Sequence, residues 1–167
     1  MELRGKNYRI PKGQPYTREE YIHGTPQPKI SKFTMGSPNG DYQYKASLIS
    51  QIDAQIRHNA LEAARVATNK VLLEKIGDAG YFLIVYPYPH VVLRENKMIA
   101  TAGADRLQEG MRRSFGKPIG RAARVKANQP IISIYVNENH LGYAKEALKV
   151  GASKLPTPCR ILAEKIS

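Results

Sequence analysis

Tyr81-Phe82-Leu83-Ile84-Val85-Tyr86, a Pro87-Tyr88-Pro89 corner and His90-Val91-Val92-Leu93-Arg94 read as two β-strands around a turn. Before them, Ile52, Ile56, Ala60, Ala63, Ala67 and Val71 recur at three- or four-residue steps, which predicts a helix over 50–76. Ser50 is suited to cap it, Asp53 stands at the capping-box position, and Gly77 supplies a left-handed stop. The alanine-rich stripe suits close packing on a sheet, with Arg57, His58 and Arg65 as candidate exposed contacts.

Downstream, residues 121–127 alternate, with Ala123, Val125 and Ala127 able to face inward while Arg124 and Lys126 point outward. Residues 131–136 read as a buried strand, and 139–150 as a second helix carrying Leu141, Ala144, Ala147 and Leu148 and stopped at Gly151. Pro156 and Pro158 precede a last strand over 160–163. Strands mixed with two main helices in irregular order predict an α+β fold, a two-layer sandwich of mixed β-sheet, in place of a regular α/β repeat.

The first 38 residues differ in kind. Five prolines (Pro11, Pro15, Pro26, Pro28, Pro38) and three tyrosines stand there with little apolar periodicity. Proline removes amide donors and disfavours helix in the residue before it, so 1–38 is expected to be an extended basic arm, with at most a short helix near 17–22. Such an arm either orders against a partner such as RNA or packs on its own domain. Residues 39–167 then form a single α+β domain, long enough at this size to bury roughly 70% of its unfolded surface without staples.

The formal charge of +12 is unevenly distributed. Residues 94–126 hold nine Lys or Arg against three acids, a net +6, while 1–34 carry +4, 35–93 are neutral and 127–167 carry +2. Gly103, Gly110, Gly116 and Gly120 punctuate the basic segment, which has too few large apolar residues for a core of its own. Cations displace the counterions condensed on a polyanion, and glycine lets the main chain approach a phosphate backbone, so RNA is the first partner to consider. Leu107, Met111 and Phe115 fall at four-residue steps, but Gly110 opposes a helix by about 1 kcal/mol, which favours a flexible basic loop over 102–120.

Motifs for other chemistry fail on spacing. Five residues separate Gly110 from Gly116 where a phosphate-binding loop has four, and Pro118 stands where a magnesium-binding Ser or Thr is required. His23, His58, His90 and His140 have no metal-ligand spacing, and no serine or cysteine sits in a nucleophile elbow, so neither a cofactor nor a metal is expected. The lone Cys159 reads as a small apolar strand residue that cannot pair within the chain. No apolar run approaches the roughly 20 residues of a membrane span, and residues 1–10 lack the apolar segment of a secretory signal, so a soluble, intracellular protein with no membrane partner is expected.

Several stretches together resemble one family. Pro15-Tyr16-Thr17-Arg18-Glu19-Glu20-Tyr21-Ile22 with Gly24, Gln55-Ile56-Arg57-His58-Asn59-Ala60-Leu61-Glu62-Ala63-Ala64-Arg65, Ala102-Gly103-Ala104-Asp105-Arg106-Leu107-Gln108 through Gly116-Lys117-Pro118, and Ala122-Ala123-Arg124-Val125 look like the L ten-e and L sixteen ribosomal proteins, in the archaeal form. The resemblance runs in order over nearly the whole chain and departs from the pattern at residues 1–10 and at Arg121, where a threonine is frequent.

What the resemblance implies is an α+β fold with a β-hammerhead element and a structural role in the large ribosomal subunit. The partners it implies are large-subunit ribosomal RNA, tRNA near the A and P sites and the peptidyl transferase region, and neighbouring ribosomal proteins. The chain would then be a monomer within cytoplasmic ribosomes, with a part in late subunit assembly and no catalytic residue. By position, Arg9, Tyr16, Arg18, Arg121, Arg124 and Lys126 would bind ribosomal RNA, and Arg106, Arg112, Arg113 and Lys117 would belong to the tRNA-facing loop. The rival readings are an RNA-modifying enzyme, for which no glycine fingerprint of a cofactor is present, and a free RNA-binding protein using some of the ten tyrosines as stacking platforms.

Overall fold

The computed structural model describes residues 8–97 and 110–166. Its eight strands are β1 (Thr34–Gly36), β2 (Tyr44–Ser50), β3 (Ala54–Arg57), β4 (Tyr81–Val85), β5 (Val91–Glu95), β6 (Lys117–Val125), β7 (Pro130–Val136) and β8 (Cys159–Lys165). Among the described residues, α-helices span His58–Lys75 (α1) and Leu141–Ala152 (α2). A five-stranded sheet runs in the order β1-β4-β7-β2-β8 and a three-stranded sheet in the order β3-β6-β5. Every pairing is antiparallel, the α+β layering expected from the sequence.

The helices pack on each other and on one face of the large sheet. Leu61, Ala64, Thr68 and Leu72 recur at helical spacing and form the buried side of α1, facing Ala144, Ala147, Leu148 and Gly151 of α2. On the sheet, Ala46, Leu48, Ile132, Ile134 and Leu83 are fully buried beneath them. Tyr81 joins the layers, donating from its hydroxyl to Asn69 Oδ1 at 2.6 Å, and burial pushes its pKa up to about 12. On the opposite face Ser47 and Ser133 share a hydroxyl–hydroxyl bond of 2.7 Å.

Several sequence expectations change. The helix begins at His58, because residues 50–57 finish β2 and form β3, where Ile56 is matched with Ala123 of β6. Ser50 is no cap; its hydroxyl donates to Ile52 O at 2.7 Å, and Asp53 Oδ1 accepts from Ala127 N at 2.7 Å. Of the three candidate exposed groups on that segment, His58 is buried and Arg65 is paired with Glu62. Gly77 does end α1, with φ +85° and its N–H on Leu72 O.

Gly151 is not the stop of α2. It lies inside the helix, which runs to Ala152, and allows the close approach of Thr68. Residues 81–86 and 90–94 are strands as read, but not a hairpin: the buried Pro87 and Pro89 carry the chain from the large sheet into the small one. Pro lacks the amide that a continuing ladder needs. Thr34–Gly36, within the segment read as arm, pairs with β4 at the edge of the large sheet.

Among the described residues no helix is long and apolar enough to cross a membrane, and no group of His, Cys, Asp or Glu could hold a metal ion.

Candidate nucleic-acid interface

Residues 8–30 wrap the three-stranded sheet like a strap. Its edge strands would otherwise leave ladder groups unpaired. At the β3 edge Gln55 N donates to Arg9 O at 2.7 Å, and Gln55 Nε2 donates to Tyr8 O at 3.0 Å. The strap then crosses one face, where Arg124 of β6 donates to Gly13 O at 2.8 Å and to Lys12 O at 3.2 Å. At the β5 edge Val92 N donates to Tyr16 O at 2.8 Å.

Past a 3-10 turn at Glu19–Tyr21 the strap meets Arg121, whose Nε donates to Pro26 O at 2.7 Å and whose Nη1 pairs with Glu19 at 2.5 Å. Lys29 N then donates to His58 Nδ1 at 3.2 Å, and Ile30 enters the core with no exposed surface. Burying such a side chain contributes about 1.5–3 kcal/mol. Of the two fates open to the arm, the described part packs on its own domain.

Arg121 and Arg124 therefore have an internal task. Arg121 is 5% exposed, and both guanidiniums bind main-chain carbonyls of the strap. The positions stand on opposite faces of β6, each holding a different part of the strap. Arg121 is enclosed by the strap, whereas Arg124 is half-buried and also borders a groove. Arg9 and Arg18, by contrast, are exposed on the strap, as is Lys126 at the turn where its N–H meets Gln129 Oε1 and Asn128 adopts φ 65°.

Between strap and sheet lies an open groove of about 590 Å³, lined by Lys12, Gln14, Tyr16, Arg94, Ser114, Phe115 and Arg124 among others. At its rim Tyr16 and Phe115 form an edge-to-face pair, ring centroids 6.2 Å apart and planes at 81°. The Arg94 guanidinium carbon sits in the corner of that pair, 4.5 Å from the Tyr16 centroid and 4.0 Å from that of Phe115. Tyr8 donates to Arg94 O at 3.4 Å, and burial, aided by the Glu95 carboxylate, raises its pKa.

Within the segment read as a flexible loop, Gly110–Arg113 form a 3-10 turn and residues 117–120 already belong to β6, Lys117 opposite Glu95 and Gly120 opposite Leu93. The loop boundary is thus corrected to before Lys117, because pairing with β5 fixes those residues. Arg112 and Lys117 are exposed; Arg106 and Leu107 lie outside the described residues, and Arg113 is described in its backbone alone. Met111 and Phe115, which fall at a four-residue step in the sequence, are 84% and 69% exposed.

The structure thus brings Tyr16 and Arg124 to one groove, while Arg9, Arg18, Lys126, Arg112 and Lys117 are exposed cations outside its lining. Sequence reasoning counted Arg94 among the cations but did not single it out for the site, and it missed Phe115 and Lys12. The available signal was an aromatic residue inside a strongly basic segment with no core to join.

A strapped α+β domain with a guanidinium and an aromatic pair at a groove offers the charge and stacking surface that suit contact with RNA. The chain belongs to the family described as Ribosomal protein L16p/L10e, whose model matches residues 11–162. It is 62% identical over 149 residues to the large ribosomal subunit protein uL16 of Hyperthermus butylicus, covering 89% of this chain and 83% of that one. It is 60% identical over 150 residues to that of Staphylothermus marinus, covering 90% and 86%. To that of Saccharolobus solfataricus it is 57% identical over 164 residues, covering 96% and 92%. The family is one of ribosomal proteins, not of enzymes.

Proposed function

We propose that this chain is a structural, RNA-binding constituent of the large ribosomal subunit, present as one copy in cytoplasmic ribosomes beside neighbouring ribosomal proteins. The observation that carries this is the 62% identity, over 89% of the chain, to a protein named for that subunit. The charge supports it: the net +6 of residues 94–126 joins an arm that is itself basic. Arg9, Arg18 and Lys126 meet phosphates of ribosomal RNA directly, while Arg121 and Arg124 act by holding the strap that carries Tyr16 and Arg18. A planar guanidinium holds phosphate with two hydrogen bonds and also stacks on an unpaired base.

The segment with Arg106, Arg112, Arg113 and Lys117 faces tRNA, helping to position it near the A and P sites and the peptidyl transferase region. Late subunit assembly depends on the same seating. The test is binding to transcribed large-subunit ribosomal RNA as salt rises. If about six cations engage phosphates, affinity drops about a thousandfold between roughly 50 and 200 mM salt. A flat response contradicts the proposal.

A further inference from the structure

The groove beneath the strap has a property that phosphate binding alone does not explain. Phe115 is 69% exposed although Arg94 stacks on it at 4.0 Å, so ring surface away from that guanidinium remains open. An aromatic ring this exposed gains nothing for the core, yet it is held: Tyr16 meets it edge-on at 6.2 Å, and Tyr16 is itself tied to β5 through Val92 N at 2.8 Å. A rigid exposed ring beside a cation is a stacking platform for a base.

The surroundings complete a nucleotide site. Lys12 and Gln14 on the strap and Ser114 beside the ring line the groove and are exposed, giving a cation for a phosphate and short polar groups for a base edge. The volume of about 590 Å³ is in the range of small-molecule pockets, roughly 300–1,000 Å³. Strap and β5–β6 bound it, so a base must leave its stack to enter; in a duplex both base faces are already covered.

We infer that the groove bounded by Lys12, Gln14, Tyr16, Arg94 and Phe115 binds one unstacked nucleotide of a single-stranded RNA segment, its base on Phe115 and its phosphate at Lys12. This rests on the reading of the chain as an RNA-binding ribosomal protein and names the form of RNA that the groove takes.

The test compares a fluorescein-labelled single-stranded RNA decamer with the same sequence in a duplex, by anisotropy at low salt, for the full chain and for F115A and F115W. Phe115→Ala weakens decamer binding by about 5- to 150-fold, the range for losing one aromatic–base stack, and leaves duplex binding unchanged. The chain has no tryptophan, so Phe115→Trp supplies a single reporter whose emission is quenched by the decamer and not by the duplex. Thermal unfolding of both variants near that of the parent chain shows that the fold is kept.

Decamer affinity of F115A equal to that of the parent, or an equal loss on decamer and duplex, overturns the nucleotide site and leaves the ribosomal reading standing. Failure of the parent chain to bind large-subunit ribosomal RNA overturns that reading as well.

Discussion

Arg121 of β6 and Glu19 of the arm, 102 positions apart, form an ion pair at 2.5 Å in which the arginine side chain is 6% exposed and the glutamate 50%. The bond joins the most basic part of the chain to a segment with almost no secondary structure of its own. It makes the arm part of the domain. Burying a guanidinium is costly unless it is paired, and here Pro26 O accepts from Nε while the Glu19 carboxylate pairs with Nη1.

Removing that anchor should free the strap. Arg121→Ala is expected to destabilise the fold by about 2 kcal/mol, less than for a fully buried pair because water screens Glu19. It should also open residues 8–30 to limited proteolysis. Unchanged unfolding and an unchanged cleavage pattern would show that the pair holds nothing.

Arg112 provides the contrast. It is exposed in the 3-10 turn Gly110–Arg113, so Arg112→Ala should change stability by less than about 0.5 kcal/mol while slowing translation in ribosomes that carry it. A large drop in melting temperature would place Arg112 in the fold.

The contact between the two helices makes a third prediction. A Cβ on Gly151 would sit 2.2 Å from Thr68 Oγ1, an atom that is buried without a hydrogen-bond partner among the described residues. Gly151→Ala should therefore cost about 1–3 kcal/mol, exceeding the roughly 1 kcal/mol that alanine gains as a helix former. Thr68→Ala in the same chain should restore most of the loss. Additive effects in denaturant titrations would mean that the two positions do not press on each other.

Acid should loosen the strap at His58. Burial, then the neighbouring charges of Lys29, Arg57 and Arg121, lowers its pKa from the usual 6.5, and its Nδ1 must stay unprotonated to accept from Lys29 N. With the folded value below the unfolded one, stability is fully present above pH 6.5 and is lost as pH falls toward the folded pKa. Urea unfolding at pH 7.5 and 5.5 should show this, and His58→Asn, which keeps an acceptor without the titration, should flatten it. An identical pH dependence in that variant would remove His58 from the account.

Strands β4, β5, β7 and β8 were legible because their apolar runs are short and bounded by Pro or polar residues, and both helices because their small apolar residues recur at helical steps. Residues 50–57 misled because Ile52, Ile56 and Ala60 mimic a helix face, whereas pairing with β6 sets their real conformation. Strand β2 passed unnoticed. Its Ser47 breaks the apolar run and becomes tolerable in the sheet only through Ser133, 86 residues away.

The site was half legible for a related reason. Composition locates cations but does not tell an exposed one from an anchor: Arg121 and Arg124 look like their neighbours until the strap's carbonyls are found on them. The pairing of β5 with β6 sets Arg94 beside Phe115, and the strap brings Tyr16 to them from far earlier in the chain, a meeting that no local pattern in the sequence announces.

The most direct test of the central claim is sedimentation of native lysate through a sucrose gradient, probing for this chain. The account predicts that it travels with the large ribosomal subunit and is released when high salt strips the subunit. Finding it only among free proteins at the top of the gradient would contradict it.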